Sequence, residues 1–158
     1  MSKENADKEQ KRSFKREVFS WIACIVVTIL LTEFILNFVI INANIPSGSM
    51  ENTIMTNDKL IALRTSYWFN DPKRGDIIIF KYPDDETEWF IKRVIALPGE
   101  TVLVKDGKVY INGSKKALSE PYIKEEPVED FGPYKVPKNG YFVMGDNRNN
   151  SNDAREWE

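Results

Sequence analysis

The sequence predicts a mostly β protein, in which a single N-terminal transmembrane helix precedes an antiparallel β-sheet or barrel-like domain. Two observations carry this prediction. Residues 18–41 are almost continuously apolar, and at helical rise they would span roughly 36 Å, enough to cross a bilayer. After residue 45, short runs of β-branched and aromatic residues alternate with Gly and Pro turns, and no helical period appears.

Composition excludes several classes of protein. The 158 residues carry a net charge of −2 with a pI of about 5.4, whereas nucleic-acid-binding domains are usually basic. The chain has no histidine, and its one cysteine, Cys24, lies in the apolar run. A disulfide framework, a zinc cluster and a Cys–His dyad are therefore excluded. We expect neither a metal nor a cofactor.

The apolar run is predicted to be an uncleaved membrane anchor. Its core is longer than that of a signal peptide, residues 42–44 form a poor cleavage signal, and a buried soluble helix rarely has so many apolar residues. Cations concentrate before it, in a charged tail over residues 1–17 that we expect to be flexible. The positive-inside rule then places the tail in the cytoplasm and residues 42–158 outside the cell membrane. A carboxylate such as Glu33 is costly to bury inside the bilayer, so we expect Glu33 to lie near the outer leaflet or against a partner helix.

Beyond the anchor, the sequence predicts strands and turns of an extracytoplasmic domain. An Asp-Gly pair between two strand patterns is a strong hairpin signal, and Asp106-Gly107 is such a pair. The four prolines and the acidic residues of 119–138 indicate an irregular surface loop. The predicted strands are residues 59–63, 76–82, 89–97, 101–104, 108–111 and 140–144.

Ser49 is a candidate nucleophile. It lies in the run Pro46-Ser47-Gly48-Ser49-Met50, where Gly48 permits close approach of the backbone to a ligand. A backbone N–H and the Ser47 hydroxyl would face a developing oxyanion there. Pro-Ser-Gly-Ser is also ordinary loop composition, so the motif alone leaves a structural turn open.

Lys92 is the candidate base, since no histidine is present to activate a serine. In a strand it shares a face with Phe90, Val94 and Ala96. Apolar surroundings lower the pKa of a lysine and favour the neutral amine that accepts a proton. The alternative is an edge-strand lysine that extends into water. Arg93, on the opposite face, is expected to be a surface or ion-pair residue.

Residues 145–155 form a third polar cluster, Gly145-Asp146-Asn147-Arg148-Asn149-Asn150-Ser151-Asn152-Asp153-Ala154-Arg155. A polar loop after a strand is the simplest interpretation. A metal loop is a rival, but two carboxylates with amides are few hard ligands for a cation. In the functional interpretation, Ser151 hydrogen-bonds to the lysine amine, while Asp153 and Arg155 hold the loop through an ion pair.

Taken together, four blocks resemble bacterial type I signal peptidases, the Ser/Lys enzymes of peptidase family S26, in the compact form typical of Gram-positive bacteria. The blocks are Pro46-Ser47-Gly48-Ser49-Met50, Arg74-Gly75-Asp76-Ile77, residues 92–100 and residues 145–155, and they occur in the family's order behind an anchor. The resemblance implies a membrane-bound endopeptidase that removes signal peptides from exported preproteins after small residues. It also implies signal peptides and the lipid bilayer as partners, no nucleic acid, and function as a monomer.

The resemblance also implies roles for individual residues. Ser49 would be the nucleophile and Lys92 the general base. Six further residues would support or line the site: Ser47 in the oxyanion hole, Ser151 orienting the lysine, Asp153 with Arg155 as a supporting pair, and Met50 and Gly145 lining the substrate site.

Family members usually continue beyond the point where this chain stops, at Trp157-Glu158. We therefore expect the catalytic domain to lack its last strands. An alternative function is that of a truncated, inactive relative that binds signal peptides or an envelope protein without cutting them. A soluble, self-cleaving Ser/Lys regulatory peptidase is a third hypothesis, and the anchor argues against it.

Overall fold

A computed structural model of the chain describes residues 3–157, with side chains from Arg12 onward. The chain divides into two units. One comprises residues 1–41 with 63–65, and the other comprises residues 42–62 and 66–158. The first unit is helical and the second is built from β-strands.

The first unit consists mainly of helix α1, Lys3–Phe34, which continues into a π-helical turn, Ile35–Val39. Residues 1–2 lie outside the described part, and from Lys3 onward the charged tail is helical. The physical reason is composition, since Lys, Glu, Gln and Ala are good helix formers and the tail contains neither Gly nor Pro.

Residues 12–39 form the one helix in the described chain that is long and apolar enough to cross a membrane. Its side chains from residue 12 to residue 38 are exposed, so this unit does not cover its own apolar surface. The Glu33 carboxylate accepts a hydrogen bond of 3.0 Å from the Asn37 amide, which also donates to the Glu33 carbonyl at 2.8 Å. The carboxylate thus has a polar partner within its own helix.

Over residues 3–157, eight strands form three small sheets. Their order is β1–β2, β3–β4–β8 and β6–β5–β7, and every pair within the two three-stranded sheets is antiparallel. The prediction of a mostly antiparallel β protein behind one apolar helix is confirmed. The strands are β1 Ile40–Asn44, β2 Lys59–Leu63, β3 Ile77–Tyr82, β4 Asp85–Ala96, β5 Thr101–Lys105, β6 Lys108–Ile111, β7 Phe131–Lys135 and β8 Phe142–Met144.

Strand β4 is the central strand of its sheet and changes character along its length. Its first residues are exposed, whereas residues 92–96 are all buried between β3 and β8. Lys92 lies opposite Ile78 of β3, and Arg93 lies opposite Met144 of β8. The register therefore places two adjacent cationic residues in the buried part of the sheet.

The hairpin predicted around Asp106-Gly107 is present. Both residues have positive φ, 49° and 74°, as a two-residue type I′ connection requires. Strands β5 and β6 contribute Val102, Val104 and Val109 to the main core, where they join Phe142 and Met144 of β8 among others.

The prediction of an irregular surface loop over residues 119–138 is wrong for part of that segment. Residues Phe131–Lys135 form strand β7 beside β5, and Val136 is 2 % exposed within the main core. Glu120 is also largely buried, with 6 % of its side chain exposed. The sequence obscures the strand because Phe-Gly-Pro-Tyr-Lys contains two turn-forming residues and lacks apolar alternation.

Candidate active site

Residues 45–54, which we call the Ser49 loop, connect β1 to β2. Three apolar side chains anchor it, because Ile45, Met50 and Ile54 form a second core cluster in which Met50 has no exposed surface. The Ile54 N–H donates to the Met50 carbonyl at 2.8 Å and closes a tight turn. The loop holds Ser49 at 5 % exposure.

The Lys92 amine contacts this serine directly. Lys92 Nζ donates a hydrogen bond of 2.8 Å to Ser49 Oγ, and Lys92 is 4 % exposed. The amine also lies 5.0 Å from the centroid of the Phe90 ring. Burial lowers the pKa of Lys92 from 10.5 to about 8, although the Asp153 carboxylate acts in the opposite direction.

This environment predicts a pH dependence for any reaction that uses Lys92 as a base. Below a pH of about 8 the amine is mostly protonated and cannot accept the Ser49 proton. We expect kcat/KM to rise about tenfold per pH unit in the acid limb and to level off above pH 8. A profile measured from pH 5 to 10 on a peptide substrate checks this, and an acid limb centred near pH 5 would contradict it.

The Ser47 hydroxyl lies beside the nucleophile candidate. Its Oγ is 3.4 Å from Ser49 Oγ, and either atom can donate in that contact. Ser47 is exposed, whereas Ser49 is buried. The geometry leaves the Ser47 hydroxyl able to rotate toward a bound carbonyl oxygen.

Asn147 ties the loop after β8 to the Ser49 loop. Its backbone N–H donates to the Ser49 carbonyl at 3.0 Å, and its side-chain amide donates to the Gly48 carbonyl at 2.9 Å. Sequence reasoning did not assign Asn147 a role. No signal in one sequence distinguishes it from the other asparagines of the cluster, because the contact spans 98 residues or more along the chain.

An ion pair lies beneath these two loops. Arg93 donates to both Asp146 oxygens, at 2.8 Å from Nε and 2.6 Å from Nη2, and the Asp146 side chain is fully buried. The Thr53 hydroxyl donates to the same carboxylate at 2.5 Å. Of the two expectations for Arg93, an ion-pair residue or a surface residue, the first is correct. Arg93 is 8 % exposed and is therefore not a surface residue.

Loss of one partner of a buried ion pair leaves the other charge uncompensated. We therefore expect Asp146→Asn to lower the free energy of unfolding by about 3–5 kcal/mol. Urea denaturation at pH 7 measures this. Asp84→Asn, on the exposed turn between β3 and β4, is the control and should change stability by less than about 0.5 kcal/mol.

Asp153 and Arg155 form a second ion pair, with contacts of 2.8 Å from Nε and 3.0 Å from Nη2. Asp153 Oδ2 also accepts the Gly145 N–H at 2.9 Å, and Arg155 Nη2 donates to the Arg148 carbonyl at 2.6 Å. The pair therefore closes the 145–155 segment on itself and keeps a negative charge near Lys92.

Ser151 does not make the expected hydrogen bond to Lys92. Its Oγ is buried and has no hydrogen-bond partner within the described residues. The hydroxyl packs over Gly145, in the space that a side chain would otherwise occupy. The absence of a Cβ at Gly145 therefore leaves the room that the Ser151 side chain occupies.

Met50 and Gly145 are the two residues that were expected to line the substrate site. Met50 is wholly buried in the second core cluster, and Gly145 packs beneath Ser151. Among the residues that the structure describes, neither is part of the cavity lining beside Ser49. Both residues lie behind those that line the cavity.

The cavity beside Ser49 and Lys92 has a volume of about 400 Å³. Its walls come from β1, the Ser49 loop, β3, β4 and residues 150–152. Apolar side chains such as Ile79, Phe90 and Ile91 line much of it. Over residues 3–157, no cluster of three or more His, Cys, Asp or Glu side chains is placed to hold a metal ion.

Comparisons with known proteins relate the chain to one family. Residues 18–158 match the family described as "Signal peptidase, peptidase S26". The chain is 45% identical over 137 residues to "Probable signal peptidase I-2" of Synechocystis sp., covering 84% of this chain and 62% of that relative. It is 38% identical over 157 residues to "Signal peptidase I" of Bacillus amyloliquefaciens, covering 93% and 82%.

The crystal structure of a signal peptidase I from Enterococcus faecalis V583 shares 38% identity and a TM-score of 0.48, covering 54% of this chain and 86% of that one. The chain belongs to the signal peptidase family S26. It spans about six-tenths of the length of the Synechocystis relative.

Proposed function

We propose that this chain is a membrane-anchored serine endopeptidase that removes signal peptides from exported preproteins. One observation carries the proposal: a buried Lys92 amine lies 2.8 Å from the Ser49 hydroxyl. A lysine of lowered pKa next to a serine is a known variant of the activated nucleophile. Membership of the signal peptidase family supplies the substrate class.

In the proposed reaction, neutral Lys92 accepts the Ser49 proton as Oγ attacks the scissile carbonyl carbon. The negative charge that develops on the carbonyl oxygen is stabilised by the Ser47 hydroxyl and a backbone N–H of the Ser49 loop. Protonated Lys92 then gives its proton to the departing amine, and the C–N bond breaks. Lys92 then takes a proton from water as the water oxygen attacks the acyl carbon, and returns it to Ser49 Oγ as the C–Oγ bond breaks.

A preprotein segment would bind in an extended conformation, with its backbone beside one of the strands that form the cavity wall. The cavity has a volume of about 400 Å³ and apolar walls, which suit uncharged side chains close to Ser49. The proposed preference for small residues such as alanine, at the first and third positions before the cut, rests on the likeness to the signal peptidase family and not on the cavity volume.

The apolar helix would anchor the chain in the cell membrane, with the charged tail in the cytoplasm and residues 42–158 outside. Preproteins are tethered to the same bilayer by their signal peptides. Tethering both molecules to one surface raises the effective concentration of the cleavage site.

The decisive experiment is Ser49→Ala in the full chain, reconstituted in detergent or vesicles with a preprotein. We expect complete loss of cleavage, because removal of a triad-type nucleophile costs many orders of magnitude in kcat. Ser114→Ala, at an exposed turn after β6, is the matched control and should cut normally. Full activity of Ser49→Ala would overturn the proposal. Binding of signal peptides without cleavage by the unmodified chain would favour a binding module instead.

A further inference from the structure

Residues 120–126, which we call the strap, connect the β6 and β7 regions without regular structure and cross over the Ser49 loop. We propose that the strap is a positioning element that aligns Ser49 with Lys92, and that Asn52 and Tyr122 are its principal positioning residues. This inference rests on the proposed peptidase function. It gives a positioning role to a segment whose sequence indicates only a surface loop.

The strap holds the Ser49 loop from outside. The Asn52 side-chain amide donates to the Tyr122 carbonyl at 3.0 Å. One residue earlier, the Glu51 carboxylate forms an ion pair of 2.7 Å with Lys124. Both contacts join residues that are 70 or more positions apart in the chain, so they are tertiary contacts and not features of a local turn.

The strap also holds the loop after β8. The Lys124 N–H donates to the Asp146 carbonyl at 3.1 Å, and Glu125 forms a parallel bridge with Asn147. Asn147 in turn donates to the carbonyls of Gly48 and Ser49. A shift of the strap would therefore be transmitted to the Ser49 backbone by two routes, one through Asn52 and one through Asn147.

A third set of contacts reaches the strand that carries Lys92. The Tyr122 ring lies 3.9 Å from the guanidinium carbon of Arg93, the residue that follows Lys92 in β4. The Tyr122 hydroxyl donates to the Glu120 carboxylate at 3.0 Å, and Glu120 pairs with the fully buried side chain of Arg148 at 2.6 Å. The strap thus contacts the residue next to Lys92, and its Glu120 pairs with a buried arginine of the segment after β8.

These contacts distinguish positioning from simple packing. The strap touches all three elements that form the site, yet its residues are not among those lining the cavity in the described chain. It therefore acts through other residues and not on the substrate. Displacement of a reacting group by about 1 Å costs on the order of 100-fold in rate even when the fold survives.

Asn52 allows a test that does not strain the backbone. Its φ is 88°, a conformation that glycine adopts freely. Asn52→Gly therefore removes the side-chain amide, which donates to the Tyr122 carbonyl and, at 3.4 Å, to the Ile123 carbonyl of the strap. Asn57, with φ of 72°, provides the matched control. Asn57→Gly makes the same chemical change and leaves the backbone hydrogen bond from the Asn57 N–H to the Ile45 carbonyl intact.

We expect Asn52→Gly to lower kcat about tenfold with KM within about twofold, because alignment is lost while the cavity is unchanged. Asn57→Gly should retain kcat within about twofold. Tyr122→Leu should lower kcat further. Val109→Ala, which removes two methyl groups from the main core, serves as a control that is destabilised without removal of a strap side chain. Both are assayed well below their melting temperatures.

Hydrogen exchange supplies a readout that does not depend on cleavage. In Asn52→Gly, exchange at the amides of residues 47–53 and of Asn147 should accelerate relative to Asn57→Gly, while β5 and β6 remain unchanged. Equal kcat and equal exchange in Asn52→Gly and Asn57→Gly would overturn the proposal that the strap aligns Ser49 with Lys92. If the unmodified chain cuts no preprotein, the proposed function fails, and the exchange comparison still decides whether the strap orders the Ser49 loop.

Discussion

Lys92→Met is expected to abolish cleavage while making the folded protein more stable at pH 7. Methionine matches the length and apolar stem of lysine but accepts no proton, so Ser49 loses its base. A loss of at least about 10³-fold in kcat is expected from removal of a base that activates a nucleophile. Lys92→Arg should be equally inactive, because a guanidinium remains charged at every accessible pH.

The stability gain follows from the same burial that lowers the pKa of Lys92. The folded protein has a pKa of about 8 at this amine, against 10.5 as the ordinary value. Between pH 8 and 10.5 the unfolded chain binds a proton that the folded chain does not, so the stability of the parent protein rises with pH. Below pH 8 the folded protein bears the full free-energy cost of burying a protonated amine, which is at most on the order of 3 kcal/mol.

Denaturation of Lys92→Met and the parent protein at pH 7 and pH 10 measures this difference. The advantage of the methionine variant should be largest at pH 7 and should shrink toward pH 10. Lys81→Met, on the exposed part of the neighbouring strand β3, is the control and should cut preproteins normally. Retained cleavage in Lys92→Met would remove the lysine from the mechanism. A loss of stability at pH 7 would show that the amine is not penalised by burial.

The elements predicted from sequence are those with strong local signals. The apolar run, the Asp106-Gly107 hairpin and the β-branched strands β3 and β4 are all defined by residues close together in the chain. Strand alternation also indicated that Lys92 has apolar neighbours, since side chains alternate between the faces of a sheet. The local signal failed at β7, whose glycine and proline imitate a turn.

Contacts between distant segments were beyond reach of one sequence. Ser151 was expected to bond to the lysine amine, but its hydroxyl packs against Gly145 and has no hydrogen-bond partner among the described residues. The acidic strap was interpreted as a solvent-exposed loop, yet Glu120 is held by buried Arg148. The position of the Ser151 hydroxyl depends on which side chain fills a space in the fold, and the burial of Glu120 depends on which cation compensates its charge. The order of residues in one sequence does not show either of these.

Gly145→Ala is expected to be the most damaging small substitution in the site. A Cβ at Gly145 would overlap both the Ser151 hydroxyl and the Ser49 carbonyl oxygen. Rotation of the hydroxyl would not relieve the contact, because the Ser151 Cβ would also overlap the new methyl group. The carbonyl belongs to the backbone of the candidate nucleophile and also accepts the Asn147 N–H. The methyl group must therefore displace Ser49 itself, or the loop after β8 must move.

Either movement separates Ser49 Oγ from Lys92 Nζ, so we expect kcat/KM to fall by about 100-fold or more. Overpacking should lower the free energy of unfolding by only about 1–3 kcal/mol, which leaves the chain folded for assay. Gly140→Ala is the matched control, because the nearest atom to its added methyl would be Pro137 Cβ at an ordinary 3.8 Å. Equal activity in the two alanine variants, at equal folded fraction, would show that the contact between Gly145 and the Ser49 carbonyl does not determine the position of the nucleophile.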